Sequence, residues 1–372
     1  MPHVSYQECF KCGKKFPAHK PVFWCPDCGG SIVVHYNPKE IKKHIRKKDF
    51  RKKRPTHWKY WMFYPLRNGK DVVSLGEGGT PLIQDEFKSK WFYKFEGTNP
   101  TGSFKDRGST VEITHAKRLG VKKVACASTG NMGASVSAYS ARAGISATIY
   151  VPKGASIIKE LQIKSYGARF VKINGDYTFA LEKTKKLWLE KKVYLTGDYL
   201  YRQEGQKSVI IEAMDQMNFK NPKYVVLPIG MGNLCYATYK GLVEMKEVGL
   251  IEKLPRIIAV QSYHCSTVIR ALNTGLGNIP EVKNPKTIAS AISCGRPNYG
   301  EEALYALKKT KGKGVTVTDE EILRAKKELA EQGIFAEASG AASYAGAKKL
   351  ELKGKTLMIV TGHGLKDIIM KI

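Results

Sequence analysis

From Val72 onward the chain alternates between two rhythms of apolar and polar positions. Short β-branched or apolar runs at 121–127, 147–151, 169–173, 193–196, 224–228, 257–261 and 357–361 read as largely buried strands. Between them, Ala-rich or Lys-rich stretches predict helices over 131–143, 157–166, 177–191, 206–217 and 319–332. Gly144, Gly167 and Gly333 stand where helix C-terminal caps belong. Alternating strand and helix predicts a parallel-rich α/β architecture, in which ligands gather beyond the carboxyl ends of the strands.

The first seventy or so residues break this rhythm. Residues 1–36 are short, turn-rich and Cys-paired; 37–71 form a basic, aromatic linker, with Ile41 and Ile45 spaced for one short surface helix. Cys9, Cys12, Cys25 and Cys28 follow the pattern Cys-x2-Cys-x12-Cys-x2-Cys. Each pair makes a knuckle, and Gly13 and Gly29 let backbone amides turn toward sulfur. Two knuckles close a four-thiolate site suited to structural zinc, with no position left open for catalysis. The other four cysteines, Cys126, Cys235, Cys265 and Cys294, are scattered singly, which argues against a disulfide framework and for a reducing compartment.

Charge narrows the partners. The chain carries 62 Lys+Arg against 33 Asp+Glu, a formal +29. Such a balance suits anionic partners: nucleic acid, a membrane surface or small anions. The stretch 39–59 holds eleven Lys/Arg and two acids, but the rest of the excess is spread along the chain. A spread excess fits a Lys-rich composition better than a dedicated nucleic-acid patch. At 42% hydrophobic the chain has ample material for a core, and no apolar run reaches the roughly 18 residues of a membrane span. With no basic region followed by an apolar stretch at the N-terminus, a cytoplasmic protein is expected.

Four segments carry candidate chemistry. Asn-Pro-Thr-Gly-Ser-Phe-Lys-Asp-Arg-Gly (99–108) places Lys105 in the first turn of a helix that Ser103 is positioned to cap. A lysine at a helix N-terminus feels the positive end of the macrodipole, which favours the neutral amine a Schiff base needs. Ser-Thr-Gly-Asn-Met-Gly (128–133) joins a strand to an Ala-rich helix, and its amides suit a carboxylate. Pro-Ile-Gly-Met-Gly-Asn-Leu (228–234) joins another strand to another helix, with glycines that let amides converge on a phosphate. Past the strand at 357–360 comes Thr361, a hydroxyl for a heteroaromatic nitrogen. An amine, a carboxylate loop, a phosphate loop and this hydroxyl form the inventory of a pyridoxal-phosphate site.

These motifs resemble the threonine synthases of the fold-type-II pyridoxal-phosphate family. The match runs through Ser-Leu-Gly-Glu-Gly-Gly-Thr-Pro-Leu (74–82), the lysine segment, Ala-Ser-Thr-Gly-Asn (127–131), Arg-Gln-Glu-Gly-Gln-Lys (202–207) and Thr-Gly-His-Gly-Leu-Lys (361–366). A Cys-paired N-terminus is similar to that of archaeal members. The resemblance implies a two-lobed α/β fold, with lobes at 72–200 and 201–372 behind the zinc-ribbon-like module, and a homodimer. It implies that Lys105 carries the cofactor, with Phe104 beside it and Asn131 at the ring oxygen. Gly230, Met231, Gly232, Asn233 and Leu234 would hold the cofactor phosphate, and Thr361 would face a ring nitrogen left unprotonated. Ser128 and Thr129 would hold the substrate carboxylate, and Arg202, with Arg296 as a second clamp, the substrate phosphate. The implied reaction converts O-phospho-L-homoserine and water to L-threonine and phosphate. Thr196-Gly197 and Gly-Arg-Pro at 295–297 depart from the usual pattern. They keep open β-replacement on O-phospho-L-serine, as in cysteine or cysteate synthases. A nucleic-acid-binding zinc-ribbon protein is the remote alternative.

Overall fold

The computed structural model describes residues 3–20, 22–45, 56–128, 130–152, 157–174, 177–190, 193–197, 199–275 and 277–367. Thr129 and the middle of the basic linker, 46–55, lie outside the described residues. The chain divides into two compact units, one made of Met1–His35, Thr56–Gly78 and Asn99–Gln206, the other of Tyr36–Pro55, Gly79–Thr98 and Lys207–Ile372.

At the N-terminus, strands β1 (Val4–Cys9), β2 (Lys15–Pro17) and β3 (Ile32–Tyr36) form a small sheet in the order β2-β1-β3. Phe23 and Trp24, between the two knuckles, pack with Trp188, Tyr194 and Tyr199, at ring separations of 4.9–6.0 Å. The linker helix is present at Pro38–Lys43, capped by Asn37 and anchored by buried Ile41.

Strands β4 (Leu82–Gln84) and β5 (Trp91–Phe95) come next in the chain but join the second unit. A contiguous division at residue 200 assigns them to the first lobe. They lie in the second because β5 pairs parallel with a strand near the C-terminus, and β4 pairs antiparallel with β5. The first unit's sheet is fully parallel: β6 (Lys123–Ala127), β7 (Ser146–Pro152), β8 (Arg169–Ile173) and β9 (Tyr194–Thr196), in the order β8-β7-β6-β9. Helices Lys105–Arg118 and Asn131–Ala143 bury almost their whole length in this unit. Gly144, Gly167 and Gly333 take the left-handed conformation expected of C-terminal caps, with φ of 68°, 77° and 76°.

The second unit carries β10 (Tyr224–Pro228), β11 (Arg256–Ser262), β12 (Lys313–Val317) and β13 (Thr356–Val360), in the order β12-β11-β10-β13-β5-β4. Only the β4–β5 edge is antiparallel. Val225–Leu227 and all of β13 are buried, the continuous apolar pattern of parallel strands covered on both faces. Helix Ala338–Lys349 is rich in Ala, Gly and Ser, which lets it lie close on the sheet. A Cβ on Gly346 would stand 2.5 Å from Val260 Cγ2. Among the described residues no helix is long and apolar enough to cross a membrane.

The predicted strands and helices appear with ends shifted by a residue or two, with one notable difference. The helix read over 206–217 runs Ser208–Gln216, and a short helix that the sequence reading does not contain, Leu200–Gln206, precedes it. The short helix is hidden in the sequence by Gly205, which is needed there because a Cβ would overlap the Arg107 carbonyl.

Inside the first unit His115 is buried, its Nδ1 2.8 Å from the Tyr194 hydroxyl and its ring stacked on Tyr201 at 4.1 Å. Burial, with a smaller contribution from Arg118, lowers its pKa from 6.5 to about 4. The unfolded chain therefore binds this proton near pH 6.5, whereas the native protein resists it until about pH 4. Stability from this group is complete above pH 6.5 and drains away as pH falls toward 4, by about 3 kcal/mol in all. Melting temperature measured from pH 7 to 4 should fall less steeply in His115→Gln than in the wild type; parallel curves would remove His115 as the cause.

Candidate active site

Lys105 opens helix Lys105–Arg118, as the sequence predicts, but Ser103 does not cap it. Phe104 occupies the cap position with helical φ/ψ and no side-chain cap bond. The turn is held instead by Asp106, whose carboxylate accepts from Thr101 N at 2.7 Å and Thr101 Oγ1 at 2.6 Å. Lys105 is half-buried, and its ammonium lies 4.9 Å from the centre of the Phe104 ring.

At the end of β6, Ser128 Oγ accepts from Gly130 N at 3.1 Å and Gly133 N at 2.8 Å. With its lone pairs taken by these amides, the hydroxyl keeps its proton to donate. Asn131 begins the following helix and is 5% exposed. Gly130 has no room for a side chain, because the buried Lys159 stem crosses it and a Cβ would overlap Lys159 Cδ.

Arg202 does not sit on an open surface. Its side chain is 0% exposed; Nη2 donates to Glu112 Oε2 at 2.7 Å and Ser109 Oγ at 2.9 Å, and Nη1 to the Lys105 carbonyl at 3.1 Å. Glu112 also accepts from Gly197 N at 2.9 Å. The structure thus brings Arg202 to the helix that Lys105 begins, and Glu112, which the sequence reading missed, is what holds it there. The only signal for Glu112 in the sequence is one acid between Val111 and Ile113.

In the second unit β10 ends at Pro228, and the turn to helix Asn233–Glu247 is uncapped by any side chain. Gly232 has φ +91°, and a Cβ there would overlap the Tyr299 carbonyl oxygen; one on Gly230 would stand 2.9 Å from the Ala291 oxygen. Tyr299 N donates to the Met231 carbonyl at 2.9 Å, and Cys294 Sγ lies 3.2 Å from Met231 Sδ. Residues 291–299 therefore wrap the turn. Asn233 and Leu234 are buried at the helix start, while Arg296 is exposed on the wrapping segment. Thr361 follows β13, is 3% exposed, and donates to Glu337 Oε1 at 3.1 Å. These features fit a phosphate-bearing cofactor: a turn with no room for side chains, a 15-residue helix start that no side chain caps, and the buried Ser262 and Ser339 hydroxyls, which have no hydrogen-bond partner among the described residues.

The four N-terminal cysteines converge. Their sulfurs all lie within 4.8 Å of one another, with Cys9–Cys28 at 3.5 Å and Cys12–Cys25 at 3.6 Å. Tetrahedral zinc thiolates at about 2.3 Å place sulfurs ~3.8 Å apart, so the donor set fits. Gly13 and Gly29 have φ of +73° and +68°, and their amides bond back to the Cys9 and Cys25 carbonyls.

A parallel-rich α/β fold with a lysine at one helix start and a glycine turn at another defines a class, and comparison with known proteins agrees. The model of the family "Pyridoxal-phosphate dependent enzyme" matches residues 73–362, and the chain belongs to that family. It is 40% identical to threonine synthase of Methanocaldococcus jannaschii, covering 97% of this chain and 93% of that protein. It is 38% identical to threonine synthase of Methanosarcina acetivorans, covering 98% and 93%. Among solved structures, maize serine racemase aligns with a TM-score of 0.66 at 22% identity, over 78% of this chain and 89% of that one.

Proposed function

We propose that the protein is a threonine synthase, converting O-phospho-L-homoserine and water to L-threonine and phosphate. The observation that carries this reading is the near full-length identity of 38–40% to curated threonine synthases. Bound at Lys105, pyridoxal phosphate supplies the electron sink for carbanion chemistry. Lys105 Nζ carries the cofactor and takes up and returns protons, with Phe104 as its neighbour. The Asn131 amide bonds the ring oxygen. Backbone amides of Gly230, Met231, Gly232, Asn233 and Leu234 hold the cofactor phosphate, and Thr361 meets the ring nitrogen. Ser128 donates to the substrate carboxylate with Thr129, Arg296 reaches the substrate phosphate from its exposed position, and Arg202 keeps the Lys105 helix in place.

The test is direct. Purified protein loaded with pyridoxal phosphate is given O-phosphohomoserine and O-phosphoserine in parallel, and phosphate and amino-acid products are measured. Threonine from the first supports the reading. Product from O-phosphoserine alone, with sulfide or sulfite as nucleophile, overturns it in favour of β-replacement.

The reading extends to a zinc ion on Cys9, Cys12, Cys25 and Cys28, a homodimer and a cytoplasmic location. The zinc is structural, because four thiolates close its coordination. Cys9→Ser should lower metal content and melting temperature while leaving kcat within a few-fold. Protein purified without chelator that contains no metal would count against the site.

A further inference from the structure

Ligands of parallel sheets gather beyond the carboxyl ends of the strands, and in the second unit both the glycine turn at 230–232 and Thr361 lie there. The other end of the same sheet carries a cleft of about 230 Å³, near the lower end of the range for small-molecule pockets. It is built by the first residues of β10, β11 and β12 and by the loop that leads from helix Ala338–Lys349 to β13. Tyr224 is the register partner of Arg256, and Ile258 of Lys313, so the sheet itself sets the spacing of one wall. At about 3.3 Å per residue, β10 separates this cleft from the glycine turn by roughly 15 Å.

The lining divides into a charged rim and an apolar floor. Arg256, Lys313 and Lys353 bring three cations, against one acid, Glu351. All four are exposed, and none has a side-chain hydrogen bond or ion pair among the described residues. Lysines just before them in the chain are matched: Lys348 meets Glu328 at 2.6 Å and Lys349 meets Glu321 at 2.9 Å. Below the rim Ile258 is buried, and Leu350, Leu352 and Tyr224 pack half-buried against the core. Glu351 takes φ of +46° just past its helix, a conformation this chain gives to glycine at 144, 167 and 333. The strained, left-handed position is thus filled by a side chain that lines the cleft.

We propose that this cleft is a second binding site, for a small organic anion with a doubly charged head and an apolar or ring body. Arg256, Lys313 and Lys353 meet the head, and the arginine fork suits a phosphate or carboxylate there. The body lies on Ile258, Leu350 and Leu352, beside Tyr224. A bare ion would leave this floor in water, and a neutral apolar molecule would leave the surplus of positive charge unmatched. None of these residues belongs to the Lys105 site, so the inference stands apart from the reaction proposed above.

The experiment titrates the cofactor-loaded protein calorimetrically with phenyl phosphate, a dianion joined to a ring, and with inorganic phosphate, the head alone. Wild type is compared with the double variant Arg256→Gln, Lys313→Gln. Binding common to both proteins belongs to other sites; the cleft is read from the binding that the variant loses. For phenyl phosphate the variant should lose at least about tenfold in affinity at this site, with the absorption band of the cofactor and the melting temperature unchanged. Inorganic phosphate should bind there at least about tenfold more weakly than phenyl phosphate, because it has nothing to lay on the floor. Phenyl phosphate that binds wild type and a folded variant alike, or binds neither, overturns the proposal. Equal affinity of the two probes at the cleft makes it a place for an adventitious ion only, and overturns it too. Lys353→Glu, a change on an exposed loop residue, supplies the same comparison if the double variant does not fold.

Discussion

Lys105→Ala should lower turnover by more than about 1000-fold, because in the proposed function it removes both the covalent anchor and the group that moves protons. The absorption band of the lysine-linked cofactor near the visible edge should vanish with it. Fold should not suffer. Lys105 is half-buried, and its backbone carbonyl, which accepts from Arg202, is kept by alanine. Circular dichroism and melting temperature should therefore match the wild type. Turnover within a few-fold of wild type would sink the assignment of Lys105, and with it the reading of the whole segment from Asn99 to Gly108.

Arg202→Ala should act first on stability. It leaves the Glu112 side chain, 3% exposed, without its guanidinium, and breaking one side of a buried pair costs about 3–5 kcal/mol. Replacing both partners at once, Glu112→Leu with Arg202→Met, should recover most of that loss, because the uncompensated charge is gone. A guanidinium that instead clamps the substrate phosphate predicts another pattern. Melting would stay unchanged while kcat/KM falls about 30- to 1000-fold, the equivalent of roughly 2–4 kcal/mol. An unaltered melting curve in Arg202→Ala therefore returns Arg202 to the substrate, and a depressed one keeps it with Lys105 and Glu112.

What the sequence made legible were features carried by short contiguous segments. The Cys pairs, the lysine turn and the glycine turn at 230–232 each bring their residues together within a few positions, so spacing alone reports them. Strands such as Tyr224–Pro228 and Thr356–Val360 were legible because burial on both faces leaves a nearly unbroken apolar run. Glu112 and Glu337 were not, since each is a single acid among small or apolar neighbours whose partner lies far along the chain. Ser103 misled because a serine before a helix is a cap by type, yet here Asp106 satisfies the turn from inside the helix. The place of β4 and β5 was hidden for a related reason. Neither was read as a strand from the sequence, and only the register of β13 says which sheet they join.

That register has a consequence for how the protein is made. Trp91 pairs with Thr356 and Phe95 with Val360, so a strand near the start of the chain finds its neighbour only when almost all of it has left the ribosome. Until then β5, with its row of aromatic residues, is an open edge. The first unit is interrupted by the same segment, so its parts at 56–78 and 99–206 must assemble around a loop that has nowhere to dock. Closing so long a loop is slow even where it costs little at equilibrium, and unpaired edges invite association meanwhile. Refolding yield should accordingly depend steeply on protein concentration, and a nascent chain stalled before β13 should be a client for chaperones rather than a folded intermediate.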